Sequence, residues 1–332
     1  MMKSKKLTRV FSQLSSLIGL ILLVALFAIL TKGTSLTMLN IKTVIGQSII
    51  LMISSVGVYF IMSMGMMNLS TGGIICICCY VLAKVGKINI PLGILCMIAT
   101  GTFIGFLTGV SVAILKVPSF LATLCVSYII DGLIIQLIAS QAESIPFALY
   151  DMDDFSFKLP LLIVVLAVCW LISTRTKFGH HVRMVGSQEQ AAIYTGISVN
   201  KVKIIAFVLC GILCSIAGFL TAVRSGTASV QSGQGMMFNT MITLVLGGFP
   251  VGGGTKSNIS APIIGSFMLQ VLTNGLAILN VSTTIQEAIK GVVFLAIIII
   301  MTNKGNIAGL FQSKNSIKAN NTLATTTLGE KQ

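Results

Sequence analysis

Long uncharged apolar stretches recur along this chain, with polar breaks between them. An apolar run of about 18 residues or more is typical of a helix that crosses a bilayer. Charged residues make up 9% of the 332 residues and hydrophobic residues 55%, whereas a soluble domain carries roughly 25% charged residues. The sequence therefore predicts an all-α, polytopic membrane bundle and leaves no room for a separate soluble catalytic domain.

We predict one transmembrane domain over residues 15–302, with about ten segments. A basic amino terminus, 1–14, precedes it, and a polar tail, 303–332, is expected to be disordered. A straight span needs about 20 residues, so the short segment 71–83 indicates that some segments are broken or re-entrant. The ten predicted segments are 15–31, 44–64, 71–83, 91–115, 119–140, 159–173, 204–223, 236–251, 259–279 and 286–302.

The basic residues predict the orientation. The chain has 22 lysines and arginines against 8 acidic residues, a formal charge of +14. With both termini in the cytoplasm, most of the basic residues lie on the cytoplasmic side, which agrees with the positive-inside rule. No basic stripe interleaved with aromatic residues is present, so the sequence does not predict nucleic-acid binding.

The cysteines and histidines predict neither a metal site nor an enzyme. All eight cysteines lie inside apolar segments and are interpreted as small packing residues. The cluster Cys76 to Cys79 lacks a second cysteine pair or a nearby histidine at metal-ligand spacing. His180 and His181 are the only histidines and are adjacent, which is no catalytic or metal-ligating constellation.

Glycines and hydroxyl residues interrupt the apolar sequence between Gly65 and Gly73. Irregular backbone at membrane depth is tolerated only where protein or a water-filled cavity satisfies its polar groups, and transporters place binding sites at such breaks. An ordinary cytoplasmic turn between two helices is the alternative interpretation.

The longest polar loop, 174–203, predicts a short helix. Ser187 can cap it, Gln190 stands three residues on as capping-box partner, and Gly196 suits a left-handed position after its last turn. A helix over 188–195 is too short to be stable without docking. The small face of Ala191 and Ala192 would fit a groove on another protein; a connector lying on the membrane surface is the alternative.

Five stretches, in order, resemble the permeases of ribose-type ABC importers, over roughly residues 41–302. The segment 178–197, FGHHVRMVGSQEQAAIYTGI, resembles their cytoplasmic coupling loop. The segments 65–73 and 117–124 resemble their Gly-Ile-Asp-Leu-Ser-Val-Gly and Val-Pro-x-Phe-x-Ala-Thr-Leu elements. A glycine-rich element, 246–254, and a carboxy-terminal pair, 274–276 and 286–291, complete the match.

The resemblance implies a non-catalytic transport subunit in the bacterial plasma (inner) membrane. Its partners would be a second permease copy in a homodimer or close heterodimer, two cytoplasmic ABC ATPase subunits and an extracytoplasmic solute-binding protein. ATP and Mg would bind to the ATPase, and no cofactor to this chain. The segment 252–257, GGGTKS, is no P-loop, because Thr255 stands where the Gly before the Lys is required.

Two sets of residues are predicted to carry the mechanism. Arg183 and Glu189 are expected to make polar contacts to the ATPase. The full coupling set is Gly179, Arg183, Gly186, Ser187, Glu189, Ala191, Ala192 and Gly196. Neutral polar groups in apolar segments are expected to line the substrate path, or else to join helices. The neutral polar residues of the path set are Asn68, Ser70, Thr123, Asn239, Thr240 and Asn274. The set also contains Phe120, as an apolar wall, and Asp131, whose charge is costly to bury in a membrane.

The cargo is predicted to be a monosaccharide of the ribose or galactose class. Two departures from the family pattern weaken this prediction: Asn68 replaces an aspartate, and 236–240, MMFNT, replaces acidic residues. A nucleoside, an autoinducer-like furanose or a branched-chain amino acid is the alternative cargo for the same role. A stand-alone secondary transporter or a membrane-embedded enzyme is the more distant alternative.

Overall fold

The computed structural model describes residues 17–138, 142–250 and 252–299, and the predicted terminal segments 1–14 and 303–332 lie outside them. These ranges contain twelve α-helices and one two-stranded antiparallel sheet, of β1 (Glu143–Ser144) and β2 (Thr227–Ala228). The helices are α1 (Leu17–Leu30), α2 (Met38–Ser63), α3 (Thr71–Gly86), α4 (Ile90–Ala113), α5 (Ser119–Ile138), α6 (Phe155–Arg175), α7 (Lys177–Ser187), α8 (Glu189–Tyr194), α9 (Val199–Ser225), α10 (Met236–Leu246), α11 (Ala261–Ile278) and α12 (283–299).

The prediction of a helical membrane protein is confirmed. Six helices, α2, α4, α5, α6, α9 and α11, are long and apolar enough to cross a membrane. Helices α1, α3 and α10 are apolar but shorter. At 1.5 Å per residue, the 16 residues of α3 reach about 24 Å, short of a bilayer core of about 30 Å. The count of ten segments therefore stays a prediction.

Helices α2 and α9 lie at the centre, and α4 packs closely against α9. A Cβ added at Gly105 of α4 would stand 2.5 Å from the carbonyl oxygen of Phe207, and one added at Gly211 of α9 would stand 2.2 Å from that of Gly101. Small residues that allow such close backbone approach are typical of helix association in membranes, where the hydrophobic effect does not drive helices together.

An ion-paired cluster joins α3 to β1. The carboxylate of Glu143 accepts hydrogen bonds from Lys87 at 2.6 Å and Lys84 at 3.0 Å. The bond from Lys87, and after it that from Lys84, lowers the pKa of Glu143 below its usual value. Strand β1 lies between α5 and α6, and β2 lies between α9 and α10. The cluster therefore links these two connections to the connection between α3 and α4, at one end of the helices.

The residues up to Gln286 form one compact unit, and those from Glu287 onward a second. The described part of the second unit is the main portion of α12. It contains an ion pair between Lys290 and Glu287, 2.8 Å long and one helical turn apart.

Candidate functional site

The chain leaves the helical conformation between α2 and α3, at residues 64–70, called here the break. Gly65 adopts the left-handed conformation there, with φ of 73°. The backbone N–H groups of Met67 and Leu69 donate to the hydroxyls of Ser119, at 3.3 Å, and Thr123, at 3.1 Å. The hydroxyls of α5 therefore satisfy irregular backbone groups that would otherwise be costly in a membrane.

Asn68 is the central side chain of the break and is only 1% exposed. Its Oδ1 accepts from the backbone N–H of Ser70 at 3.1 Å and from the Ser70 hydroxyl at 2.8 Å. Its Nδ2 donates to Sγ of Cys210 in α9, at 3.3 Å. The structure thus brings together three predicted path residues, Asn68, Ser70 and Thr123, beside the start of α3.

The other predicted path residues do not join this cluster. Asp131 lies half-buried on α5 and makes no hydrogen bond or ion pair with another described residue. Phe120 is exposed, and Thr240 is buried and donates to the Met237 carbonyl at 3.1 Å. Asn274 exchanges two hydrogen bonds of 2.9 Å with Asn40, so it joins α11 to α2.

A cavity of about 400 Å³, called here the Gln270 cavity, lies between α2, α9, α10 and α11. Asn239 is the predicted path residue in its wall. Sequence reasoning missed the others, although Gln47 and Gln270 carry the signal used for Asn68, an amide inside an apolar segment. The described lining residues are Gln47, Ile50, Leu51, Thr221, Arg224, Ser225, Met236, Asn239, Gln270 and Thr273.

A second cavity, of about 460 Å³ and called here the Lys158 cavity, also has Arg224 in its wall. The side chain of Lys158 is buried, and its ammonium forms an ion pair with Asp153. Beside it, Asp154 caps the start of α6. The hydrogen bond from the Ser156 hydroxyl, followed by one from the backbone, lowers the pKa of Asp154.

The predicted loop 174–203 is largely helical. Helix α6 extends to Arg175, α7 begins at Lys177 with a Thr176 cap, and α9 begins at Val199. The predicted short helix exists as α8, Glu189–Tyr194. Gly196 follows it with φ of 80°, which confirms its predicted left-handed position.

The predicted capping role of Ser187 is wrong. Ser187 is the last residue of α7, and Gln188 occupies the cap of α8 without a side-chain hydrogen bond. The Ser187 hydroxyl donates to the Arg183 carbonyl at 2.9 Å and accepts from the backbone N–H of Thr255 at 3.0 Å. A contact from 68 residues further along the chain therefore occupies the hydroxyl that local sequence assigned to capping.

Two predicted docking residues face inward. Ala192 is 1% exposed, so its small side chain packs within this chain. Arg183 donates through Nη2 to the Ser173 carbonyl at 2.6 Å and hydroxyl at 2.9 Å, which joins α7 to the end of α6. Ile193 and Tyr194, which the predicted coupling set does not include, are 48% and 87% exposed.

Of the other coupling residues, Glu189 and Ala191 are exposed on α8. Glu189 forms an ion pair of 2.7 Å with Lys203 of α9. This end of α8 adjoins a groove of about 870 Å³ whose wall also contains Lys116. The exposed surface of α8 therefore combines an acidic residue, a small residue and two large apolar side chains.

Glycines let α7 approach the end of α2 with no side chain between them. A Cβ added at Gly186 of α7 would lie 1.9 Å from the carbonyl oxygen of Ser63. The loop after α10 approaches the same end of α2, since a Cβ at Gly253 would lie 2.5 Å from the carbonyl oxygen of Met62. A Cβ at Gly179 would stand 2.2 Å from the Ser173 carbonyl. Helix α7 is thus fixed against the last turn of α2, directly before the break.

Membrane-spanning helices, a buried break and a polar cavity between helices define a multi-pass membrane transport protein. The chain belongs to the family described as "Branched-chain amino acid transport system / permease component", whose model matches residues 40–302.

The chain is similar along most of its length to curated permeases. It is 29% identical over 303 residues to the ribose import permease protein RbsC of Escherichia coli strain K12, covering 87% of this chain and 93% of that protein. It is 28% identical to the ribose import permease protein RbsC of Bacillus subtilis, covering 89% and 94%. It is 26% identical to the autoinducer 2 import system permease protein LsrC of Photorhabdus luminescens, covering 86% and 88%. No solved structure matches significantly, and the resemblance to ribose-type permeases is confirmed.

Proposed function

We propose that this chain is the membrane-spanning permease subunit of a bacterial ATP-driven importer for a monosaccharide-like solute. The observation that carries the proposal is the match, over nearly nine tenths of the chain, to permeases named for ribose import. The solute is delivered by an extracytoplasmic binding protein, and the protein is located in the inner membrane. An autoinducer-like furanose is the second candidate cargo, which the match to the autoinducer 2 permease favours.

A pair of ABC ATPase subunits docks on α8 from the cytoplasm and holds the ATP and Mg. The exposed side chains of Glu189, Ile193 and Tyr194 form the docking surface. When the ATPase pair closes, it moves α8 and α7 together. Because α7 touches the end of α2 at Gly186, the movement reaches the break and favours one of two states of the helices.

A second copy of the permease packs beside the first, with the α5 face between them. Asp131 supports this arrangement, because an acidic side chain within a span is costly and faces a bundle interior or a water-filled cavity. The passage then runs along the break cluster, Phe120 and Asp131. Light scattering of the purified importer, which should give two permeases per particle, tests the stoichiometry; a single permease per active particle would rule it out.

The double variant Ile193→Ala, Tyr194→Ala tests the docking surface. Truncating two exposed apolar anchors should weaken ATPase binding by about 2 kcal/mol or more, roughly 30-fold. Copurification of the ATPase with the permease and ATP-driven sugar uptake in vesicles are the measurements.

Phe103→Ala is the matched control, because Phe103 is 59% exposed on the spanning helix α4. It removes a large apolar side chain of intermediate exposure between those of Ile193 and Tyr194 and should leave both measurements unchanged. Full copurification and uptake in the double variant would remove the assignment of α8 as the docking element. Uptake by vesicles that contain the permease alone would favour a secondary transporter instead.

A further inference from the structure

Arg224 lies where the Gln270 cavity and the Lys158 cavity adjoin, since it contributes to the walls of both. It is the next-to-last residue of α9. In the orientation proposed above, this end of α9 lies at the outer side of the membrane. A solute entering from outside would therefore pass this side chain before reaching Gln270.

The N–H groups of the Arg224 guanidinium donate no hydrogen bond to another described residue. It is half-buried and lies near Gly46 of α2, where an added Cβ would stand 3.6 Å from Nη1. It interacts electrostatically with Asp153, but forms no hydrogen bond or ion pair with this or another described residue. A guanidinium presents five N–H donors in a planar fork that matches paired oxygen atoms.

The rest of the Gln270 cavity offers both donors and acceptors. The Gln270 amide donates to the Gln47 carbonyl oxygen, which leaves the amide N–H groups of Gln47 and the carbonyl oxygen of Gln270 directed to other partners. The hydroxyls of Thr221 and Thr273 donate to their own helices at 2.8 and 2.9 Å, so their oxygen atoms remain acceptors. This mixture complements hydroxyl groups, which both donate and accept.

The size and charge of the cavity restrict the solute. Its volume of about 400 Å³ falls within the roughly 300–1,000 Å³ typical of small-molecule sites. Arg224 is the one charged residue in its described wall. The adjoining Lys158 cavity adds Lys42 and the Lys158 and Asp153 pair, together with Asp154, so basic groups outnumber acidic groups across the two cavities.

We propose that the Gln270 cavity of each permease chain binds the transported solute before the solute enters the passage along the break, and that Arg224 determines specificity there by donating two hydrogen bonds to adjacent solute oxygen atoms. Vicinal hydroxyls of a neutral sugar and the carboxylate of a sugar acid share this chemistry. The inference rests on the proposed import of a monosaccharide-like solute. It adds a binding site and a residue that determines which solute binds there.

Charge-selective labelling of Thr273→Cys tests the site in the full importer. Cys96 and Cys125, the two cysteines that are not buried, are first replaced by Ser. We expect an anionic sulfonate methanethiosulfonate added outside to react on the order of 10-fold faster than the cationic trimethylammonium reagent, since a cleft of one charge concentrates the opposite charge. Equal rates, or no reaction with either reagent, would overturn the proposal that the cavity is solvated and that Arg224 makes it selective for anions.

Three further variants separate Arg224 from the surroundings. Adding Arg224→Gln should reduce the rate ratio to near unity, and Arg224→Lys should preserve it. Val164→Cys, on the exposed face of the spanning helix α6, should react with neither reagent. If the ratio of the two labelling rates is unchanged in an Arg224→Gln variant that still copurifies with the ATPase, the charge selectivity comes from Lys42 or Lys158. That result would contradict the proposal.

Sugar protection then identifies the oxygen atoms. D-ribose, D-xylose, D-allose and D-ribonate are each added before the sulfonate reagent. Protection by a neutral sugar indicates vicinal hydroxyls, and protection by D-ribonate alone indicates a carboxylate; no protection by any of the four would refute solute binding in the cavity. If the unmodified importer couples ATP hydrolysis to uptake while protection is absent, this inference fails and the proposed function stands.

Discussion

Asn68 shows how a single side chain can hold the break together. Its amide accepts two hydrogen bonds from Ser70 and donates one to Cys210, so it links the start of α3 to α9. An aspartate there would lose the donated bond and would place a charge at a position that is 1% exposed. In this chain the amide therefore has a structural role in addition to its place beside the proposed passage.

The variant Asn68→Ala should lower stability. It leaves the Ser70 N–H and hydroxyl without their acceptor in a buried site, which costs about 1–3 kcal/mol for each group left unsatisfied. The thermal unfolding midpoint in detergent measures the loss. Asn200→Ala, at an exposed position near the start of α9, is the control, and an equal midpoint for the two variants would contradict this role.

Sequence identified the residues of the break, but it did not identify the cavity. Asn68, Ser70 and Thr123 stand near one another because 65–73 and 117–124 are each locally distinctive. Gln47, Arg224 and Gln270 come from three helices far apart in the chain. Only tertiary packing brings these side chains together, and no local spacing carries that information.

At the scale of elements, the coupling region depends on α7 more than its sequence suggests. Local pattern predicted α8 and its left-handed Gly196, and both are present. It also assigned Ser187 to capping and Ala192 to docking, because it could not include the turn at Thr255 or the packing of α8 on its own chain. In the proposed function, the exposed side chains of α8 would contact the ATPase, while α7 would carry the movement inward.

The variant Gly186→Ala should impair this connection. Its Cβ would stand 1.9 Å from the Ser63 carbonyl oxygen, so the two backbones must separate, and such overpacking typically costs about 1–3 kcal/mol. We expect a lower unfolding midpoint and reduced ATP-driven uptake. Gly291→Ala on α12 is the matched control, because a Cβ there meets nothing within 4 Å; if both variants transport equally, the contact is not needed for coupling.

At the scale of the whole molecule, composition alone predicted the class. A charged fraction of 9% indicates a lipid environment whatever the order of the helices. Six spans agree by length and hydropathy, whereas the short helices α3 and α10 leave the number of crossings to experiment. The sidedness of the molecule remains a prediction from its basic residues.

Labelling from each side of the membrane tests the sidedness. Phe147, which is 89% exposed between β1 and α6, should react as Phe147→Cys with an impermeant maleimide in intact cells. Gln190→Cys on α8 should react only after the membrane is opened, because the basic loop around it is retained inside. Reaction of both variants from the same side would reverse the assignment of α8 to the cytoplasm.

The cluster at Glu143 has a mechanical consequence. Lys84 of α3 and Lys87, directly after it, both contact the Glu143 carboxylate of β1, and Pro146 adjoins Gly86 at the same end, while the opposite end of α3 continues into the break. Ion pairs therefore hold the carboxy-terminal end of α3, and the weaker hydrogen bonds of Asn68 hold its start. If α7 moves as proposed above, the helix would change its tilt about the ion-paired end rather than slide along its axis.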